Sequence, residues 1–134
     1  MKKILTISIS MLLSIILVTG CGCSKKEEQK VEESYNTNSG VVDNKVVEEL
    51  NLTNTSLVSK GNNSTLVTLV TNPTNEDKEV RIFNIYVKDK DGKEIVKLQG
   101  YVGDVVPAGE SREITSNVDM NLDHAHTIEY EIVK

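Results

Sequence analysis

Thr127-Ile128-Glu129-Tyr130-Glu131-Ile132-Val133 is the stretch that decides the fold of this 134-residue chain. Successive side chains of a strand point to opposite faces, so Ile128, Tyr130 and Ile132 share one side and Glu129 and Glu131 the other. One face is buried and the other wet, which is the pattern of an antiparallel sheet lying on a core. Upstream, Val80 to Lys88 carries Phe83, Ile85 and Val87 on one face and Val80, Ile82 and Tyr86 on the other. Apolar on both sides, it reads as a central strand or one carrying a bulge. Thr65-Leu66-Val67-Thr68-Leu69-Val70 is a third strong strand, and weaker ones are expected at Leu50–Val58, Glu94–Val102 and Ser111–Val118.

Turn chemistry separates them. Asn72-Pro73-Thr74-Asn75 breaks the chain after the second strand, where Pro73 has no ladder donor to offer. Asp89-Lys90-Asp91-Gly92 closes a hairpin, because Asp-Gly takes the positive φ values of a tight turn. Pro107-Ala108-Gly109 makes the next break. Six to seven short strands with such turns predict a small all-β protein, an antiparallel sandwich. With no Trp, one Phe and four Tyr, its core must be mostly Val, Ile and Leu.

The sandwich is expected to occupy residues 46–134. Before it, Ser24-Lys25-Lys26-Glu27-Glu28-Gln29-Lys30 is a mixed charge run, and Tyr35-Asn36-Thr37-Asn38-Ser39-Gly40 is small and polar. Such composition buries too little apolar surface to offset chain entropy. Residues 21–45 therefore read as a flexible tether, whose 24–45 portion would reach about 25 Å as a coil. A brief helical turn is expected around Val42, Val46, Val47 and Leu50.

Residues 1–20 have the plan of a secretory signal: Lys2 and Lys3, then an apolar run from Ile4 to Val18 ending in small residues. The run is shorter than the roughly 20 residues a spanning helix needs. Val18-Thr19-Gly20-Cys21 resembles the lipobox of bacterial lipoproteins. The resemblance implies a diacylglyceryl group on the Cys21 thiol and cleavage before it, making Cys21 the lipidation site. Cys23 fits less well, since Gly20 would fill the aliphatic position. Each buried methylene contributes about 0.8 kcal/mol, and one acyl chain alone anchors only marginally. Two chains pass that limit, so the implied location is the cell membrane, lipid-anchored on its extracytoplasmic face.

Loss of residues 1–20 leaves thirteen Lys and Arg against twenty Asp and Glu, a net charge of −7. That argues against nucleic acid as a partner, whose binding needs cations. With Cys21 alkylated, Cys23 has no partner within the chain, and no disulfide framework is expected.

Phe83-Asn84-Ile85-Tyr86-Val87 resembles the motif that names the FxLYD domains of secreted and lipid-anchored bacterial proteins. Phe83 and Tyr86 match, Ile85 stands for Leu, and Val87 replaces Asp. Val70-Thr71-Asn72, Lys88-Asp89-Lys90-Asp91-Gly92-Lys93, Val106-Pro107-Ala108-Gly109-Glu110 and the segment from Asp123 to Tyr130 are similar to that family's second strand, hairpin, later turn and final strand. The resemblance spans roughly residues 50–134. It implies an immunoglobulin-like fold without enzymatic activity.

Other candidate chemistry is thin. His124 and His126, at i and i+2 of a strand, would share a face as two metal ligands do, with Asp119 and Asp123 as further oxygen donors. Asp89, Asp91 and Glu94 lack the distal Glu of a calcium loop, and the hairpin accounts for them. Asn51-Leu52-Thr53, Asn54-Thr55-Ser56 and Asn63-Ser64-Thr65 mark a polar Asn/Thr-rich surface. The function expected is that of a cell-envelope lipoprotein presenting a non-catalytic immunoglobulin-like sandwich for binding or scaffolding. It would need no cofactor, and its partner would be an envelope protein or glycan. The alternative is a metal-binding lipoprotein using His124 and His126.

Overall fold

A computed structural model describes residues 31–134, a unit with its own core. The signal of residues 1–20, the lipidation site Cys21, Cys23 and the tether's residues 21–30 lie outside the described residues.

The strands are β1 (Glu33–Tyr35), β2 (Lys45–Val47), β3 (Leu50–Lys60), β4 (Asn63–Thr71), β5 (Lys78–Val80), β6 (Ile82–Lys88), β7 (Glu94–Gly100), β8 (Asp104–Val106), β9 (Ser111–Val118) and β10 (Thr127–Val133), with one helical turn, α1 (Ser39–Val42). One sheet runs β1–β3–β4–β9, with β2 also on β3; the second runs β10–β6–β7; β5 and β8 pair as a separate ribbon. All pairings are antiparallel. β4 lies beside β9 and β6 beside β10, so the chain changes sheet after β4, β7 and β9. That order is the immunoglobulin-like one, in which the two central strand pairs sit in opposite sheets. Five of the six strands expected from periodicity are present, and the sixth, Val80–Lys88, is divided.

The core follows the alternation. Leu52, Leu57, Leu66, Val70 and Ile114 from the first sheet meet Phe83, Ile85, Val87, Leu98 and Ile128 from the second. Phe83 and Tyr130 contact edge to face, with ring centroids 6.5 Å apart. At one seam β7 closes on β9: Ser116 Oγ donates to the Gln99 carbonyl at 2.6 Å, and a Cβ on Gly100 would lie 2.4 Å from Ile114 Cγ2. The stretch Val80–Lys88 is not one strand. Val80 ends β5 on β8, whereas β6 is the middle strand of its sheet. The Arg81 N–H turns to the Val133 carbonyl at 2.8 Å.

The expected tether needs correction, because its residues 31–45 belong to the folded unit. β1 pairs with the end of β3, and Val41 is fully buried. Asn36 Nδ2 donates to the Ala125 carbonyl at 2.7 Å, and its Oδ1 accepts from Asn38 N–H at 2.9 Å. Asn38 Nδ2 donates to the same Ala125 carbonyl at 2.9 Å. Polar composition misleads here because the amide side chains are not solvated. They satisfy carbonyls that the crossover into β10 would otherwise leave unpaired. The helical turn forms at Ser39–Val42 rather than farther on, and Val46 and Val47 are extended.

Two other asparagines act alike. Buried Asn72 gives Nδ2 to the Glu76 and Val106 carbonyls at 2.7 and 2.9 Å and accepts from Thr74 N–H at 3.0 Å. Asn121 Nδ2 holds the Gly61 carbonyl at 2.8 Å. The Asp89 turn is as expected: its Oδ1 accepts from the N–H groups of Asp91 and Lys93, and Gly92 has φ +80°.

Candidate binding groove

Beside β1, a shallow groove of about 750 Å³ opens on the outer face of the first sheet. Its floor is two cross-strand rows fixed by register. Tyr35 opposes Val58, which opposes Thr65; Glu33 opposes Lys60, which opposes Asn63. Val31 and the turn residues Gly61 and Asn62 form the rim. Val31, Glu33 and Tyr35 stand on one side because they alternate along an extended chain.

The aromatic ring of this groove is unusually open: Tyr35 is 64% exposed and Val31 47%. Its backbone is nevertheless held on both sides. Tyr35 pairs with Val58, and the next residue, Asn36, donates its N–H to the Leu57 carbonyl at 2.9 Å and its side chain to the Ala125 carbonyl. The hairpin tip opposite is set by Gly61 at φ +60° and by the Asn121 hydrogen bond. Thr65 Oγ1 donates to Asn117 Oδ1 at 2.8 Å. Lys60 Nζ stands 3.9 Å from Glu33 Oε1, so the groove's two charges offset each other.

A second groove, about 560 Å³, lies at the other end of β3. Here the two-residue turn between β2 and β3 is Glu48-Glu49, at φ +47° and +73°. Such a turn favours Asn-Gly. Glu49 pairs with Lys78, whose ammonium lowers the Glu49 pKa through a hydrogen bond and its charge; Glu48 meets Lys134 at 2.9 Å.

The outer face of the second sheet is a ladder of self-satisfied polar groups. Glu131 Oε1 accepts from Asn84 Nδ2 at 2.9 Å and from the Tyr86 hydroxyl at 2.8 Å. These bonds hold the Glu131 pKa below the usual carboxylate range and raise that of Tyr86. Lys97 Nζ sits 5.5 Å from the Tyr86 ring centre, and Lys88 meets Glu129 at 2.9 Å.

The histidines are not on a strand. His124 is in a turn and His126 in irregular chain just before β10, both exposed, as are Asp119 and Asp123. His126 Nδ1 lies 3.5 Å from Thr127 Oγ1. Among the described residues no group of three His, Cys, Asp or Glu side chains is placed to hold a metal ion.

Sequence reading placed Tyr35 and Glu33 in a tether and passed over Asn62 and Lys60. The alternation Val31-x-Glu33-x-Tyr35 was the available signal. Its length, three paired residues, falls below what periodicity resolves.

The chain's described part is thus an all-β antiparallel sandwich of immunoglobulin-like order with a partly aromatic surface groove. No family model matches the chain, and no curated protein or solved structure matches it either.

Proposed function

We propose that this protein is a cell-envelope lipoprotein, anchored through Cys21, whose FxLYD-like sandwich binds or scaffolds without catalysis. The observation that carries the reading is Tyr35: a ring left largely in solvent on a backbone locked by Asn36. An aromatic that contributes nothing to the core, carried on a fixed backbone with its hydroxyl 3.4 Å from Glu33 Oε2, is what a recognition surface requires. The displaced carboxylates support the non-catalytic part, since each has a structural partner: Glu49 with Lys78, Asp89 with its own turn, Glu131 with Asn84 and Tyr86.

The anchor reading rests on the lipobox residues. About ten residues separate Cys21 from Val31, which limits the span between them to about 35 Å even when fully extended. The domain would therefore work close to the membrane surface, among envelope polymers.

Two measurements test this. Cells fed labelled palmitate should label the wild-type protein and not Cys21→Ser, which should leave the membrane fraction; label retained by the variant would refute the anchor. The chain from residue 22, which keeps the whole folded unit, should retain envelope material on a column, and Tyr35→Ala should lose it. Equal retention by both would remove the groove from the function.

A further inference from the structure

We infer that the groove beside β1 is a saccharide site, taking two or three units of a neutral, hydroxyl-rich glycan. The inference rests on reading the sandwich as a binding module and names its ligand.

Four features of the groove select this chemistry. First, sugar rings present an apolar C–H face, and Tyr35 with Val58 offers an exposed ring beside an aliphatic side chain in the same row. Aromatic side chains bury large area at low entropy cost and keep a polar handle for the rim. Second, the far wall is amide and hydroxyl. Asn62 and Asn63 each carry two N–H donors and one carbonyl acceptor, which suits vicinal hydroxyls that both donate and accept. On the floor next to them, Thr65 already spends its proton on Asn117, so its oxygen is left to accept.

Third, the charge is balanced. Lys60 and Glu33 face each other across one row, so the groove attracts neither polyanion nor polycation, and the chain's net charge of −7 without residues 1–20 disfavours acidic polymers. The same pair supplies one ionic donor and one ionic acceptor, the stronger type of hydrogen bond. Fourth, the groove is shallow and already formed. About 750 Å³ suits a short oligosaccharide lying along a surface. The backbone of its two walls is fixed through Asn36 and Asn121, so binding has to order side chains and not loops. The second groove lacks this set. Its walls are carboxylates and lysines around Leu50, Val80 and Ile132, with no aromatic ring.

Titration of the isotope-labelled chain from residue 22 with tetra-N-acetylchitotetraose and with maltotetraose tests the inference by amide chemical shifts. We expect shifts concentrated at residues 31–35 and 58–65 with a Kd near or below about 1 mM. Tyr35→Ala should weaken binding about tenfold or more, and Tyr35→Trp should keep it. Asn62→Ala, in an exposed turn, should weaken binding without lowering Tm. Absence of shifts with both sugars up to about 10 mM, shifts centred elsewhere, or an affinity unchanged in Tyr35→Ala would overturn the proposal. Because residue 21 is missing from this chain, the outcome is independent of the lipid anchor. Retention of envelope material through Tyr35 without a response to either sugar would leave the binding module standing and reject its glycan ligand.

Discussion

The Asn36 side-chain nitrogen lies 2.7 Å from the Ala125 carbonyl oxygen, joining the end of β1 to the crossover that leads into β10. The two residues are separated by 89 positions. This one amide also reaches toward the carbonyls of Leu122 and Asp123. The crossover is further docked by Ser64 Oγ, which accepts from Leu122 N–H at 3.0 Å and donates to the Met120 carbonyl at 2.7 Å.

Asn36→Ala should therefore lower stability by about 1–3 kcal/mol, the usual cost of leaving buried partners unsatisfied. A chain starting at residue 46 loses β1, α1 and the buried Val41 together, and should show no cooperative unfolding transition. Chemical denaturation of both against the chain from residue 22 checks this. A chain from 46 as stable as the longer one would contradict it.

Gly100→Ala should destabilise by about 1–3 kcal/mol through overpacking, because the new methyl would meet Ile114 Cγ2 at 2.4 Å. Ile114→Ala removes that atom. The double variant should then lose less stability than the sum of the two single variants, a coupling read from a double-mutant cycle.

Tyr130 places its hydroxyl in the core with no hydrogen-bond partner, beside Thr55 and Thr68, which bond each other at 2.7 Å. Burial raises the Tyr130 pKa, and the neighbouring hydroxyls oppose the shift only in part. A phenol harder to ionise when folded contributes stability below its unfolded pKa of about 10 and loses it as pH rises beyond. Tyr130→Phe should be neutral or stabilising by up to about 1 kcal/mol at pH 7 and should weaken the alkaline loss.

The acid limb has the opposite sign. Glu131 and Asp89 have lowered pKa values in the folded state, Glu131 through Asn84 and Tyr86, Asp89 through the Lys93 and Asp91 N–H groups. Their contribution is full above the unfolded carboxylate range of about 4 and falls away as pH drops through the folded values. Thermal unfolding should show stability nearly flat from about pH 7 to 5 and declining below about pH 4, less steeply in Glu131→Gln.

Replacing Glu48-Glu49 by Asn-Gly should raise stability by about 1 kcal/mol. Both positions are left-handed, where Gly and Asn fit without strain. The ion pairs to Lys134 and Lys78 given up in exchange are largely exposed and worth little.

The long strands were legible because each buries one face: the period in Thr127–Val133 and in Thr65–Val70 is the core itself. The sheet order was not, since nothing local to β4 says that it neighbours β9. The three-residue strands β1, β2, β5 and β8 were missed because their pairing, not their pattern, makes them strands. The helical turn expected around Val42, Val46, Val47 and Leu50 falls at Ser39–Val42 instead, because its single buried anchor, Val41, carries no period. The groove was hidden for the same reason. Tyr35 acquires its meaning only when β1 lies against Val58, and a polar run around Asn36 looks the same whether its amides face water or carbonyls. The histidine pair erred in the other direction, since two residues before a strand were granted the geometry of the strand.

The short pairing of β1 with β3 also has a mechanical meaning. A pull applied at Val31 first loads three strand pairs, Glu33 with Lys60 through Tyr35 with Val58. Behind them, the Asn36 amide ties the same segment to the far end of the chain. The domain thus has a weak outer link and a cross-braced inner one. Tension there would part β1 from β3 first and carry Tyr35 away from Val58, with the load then passing to Asn36 and Ala125.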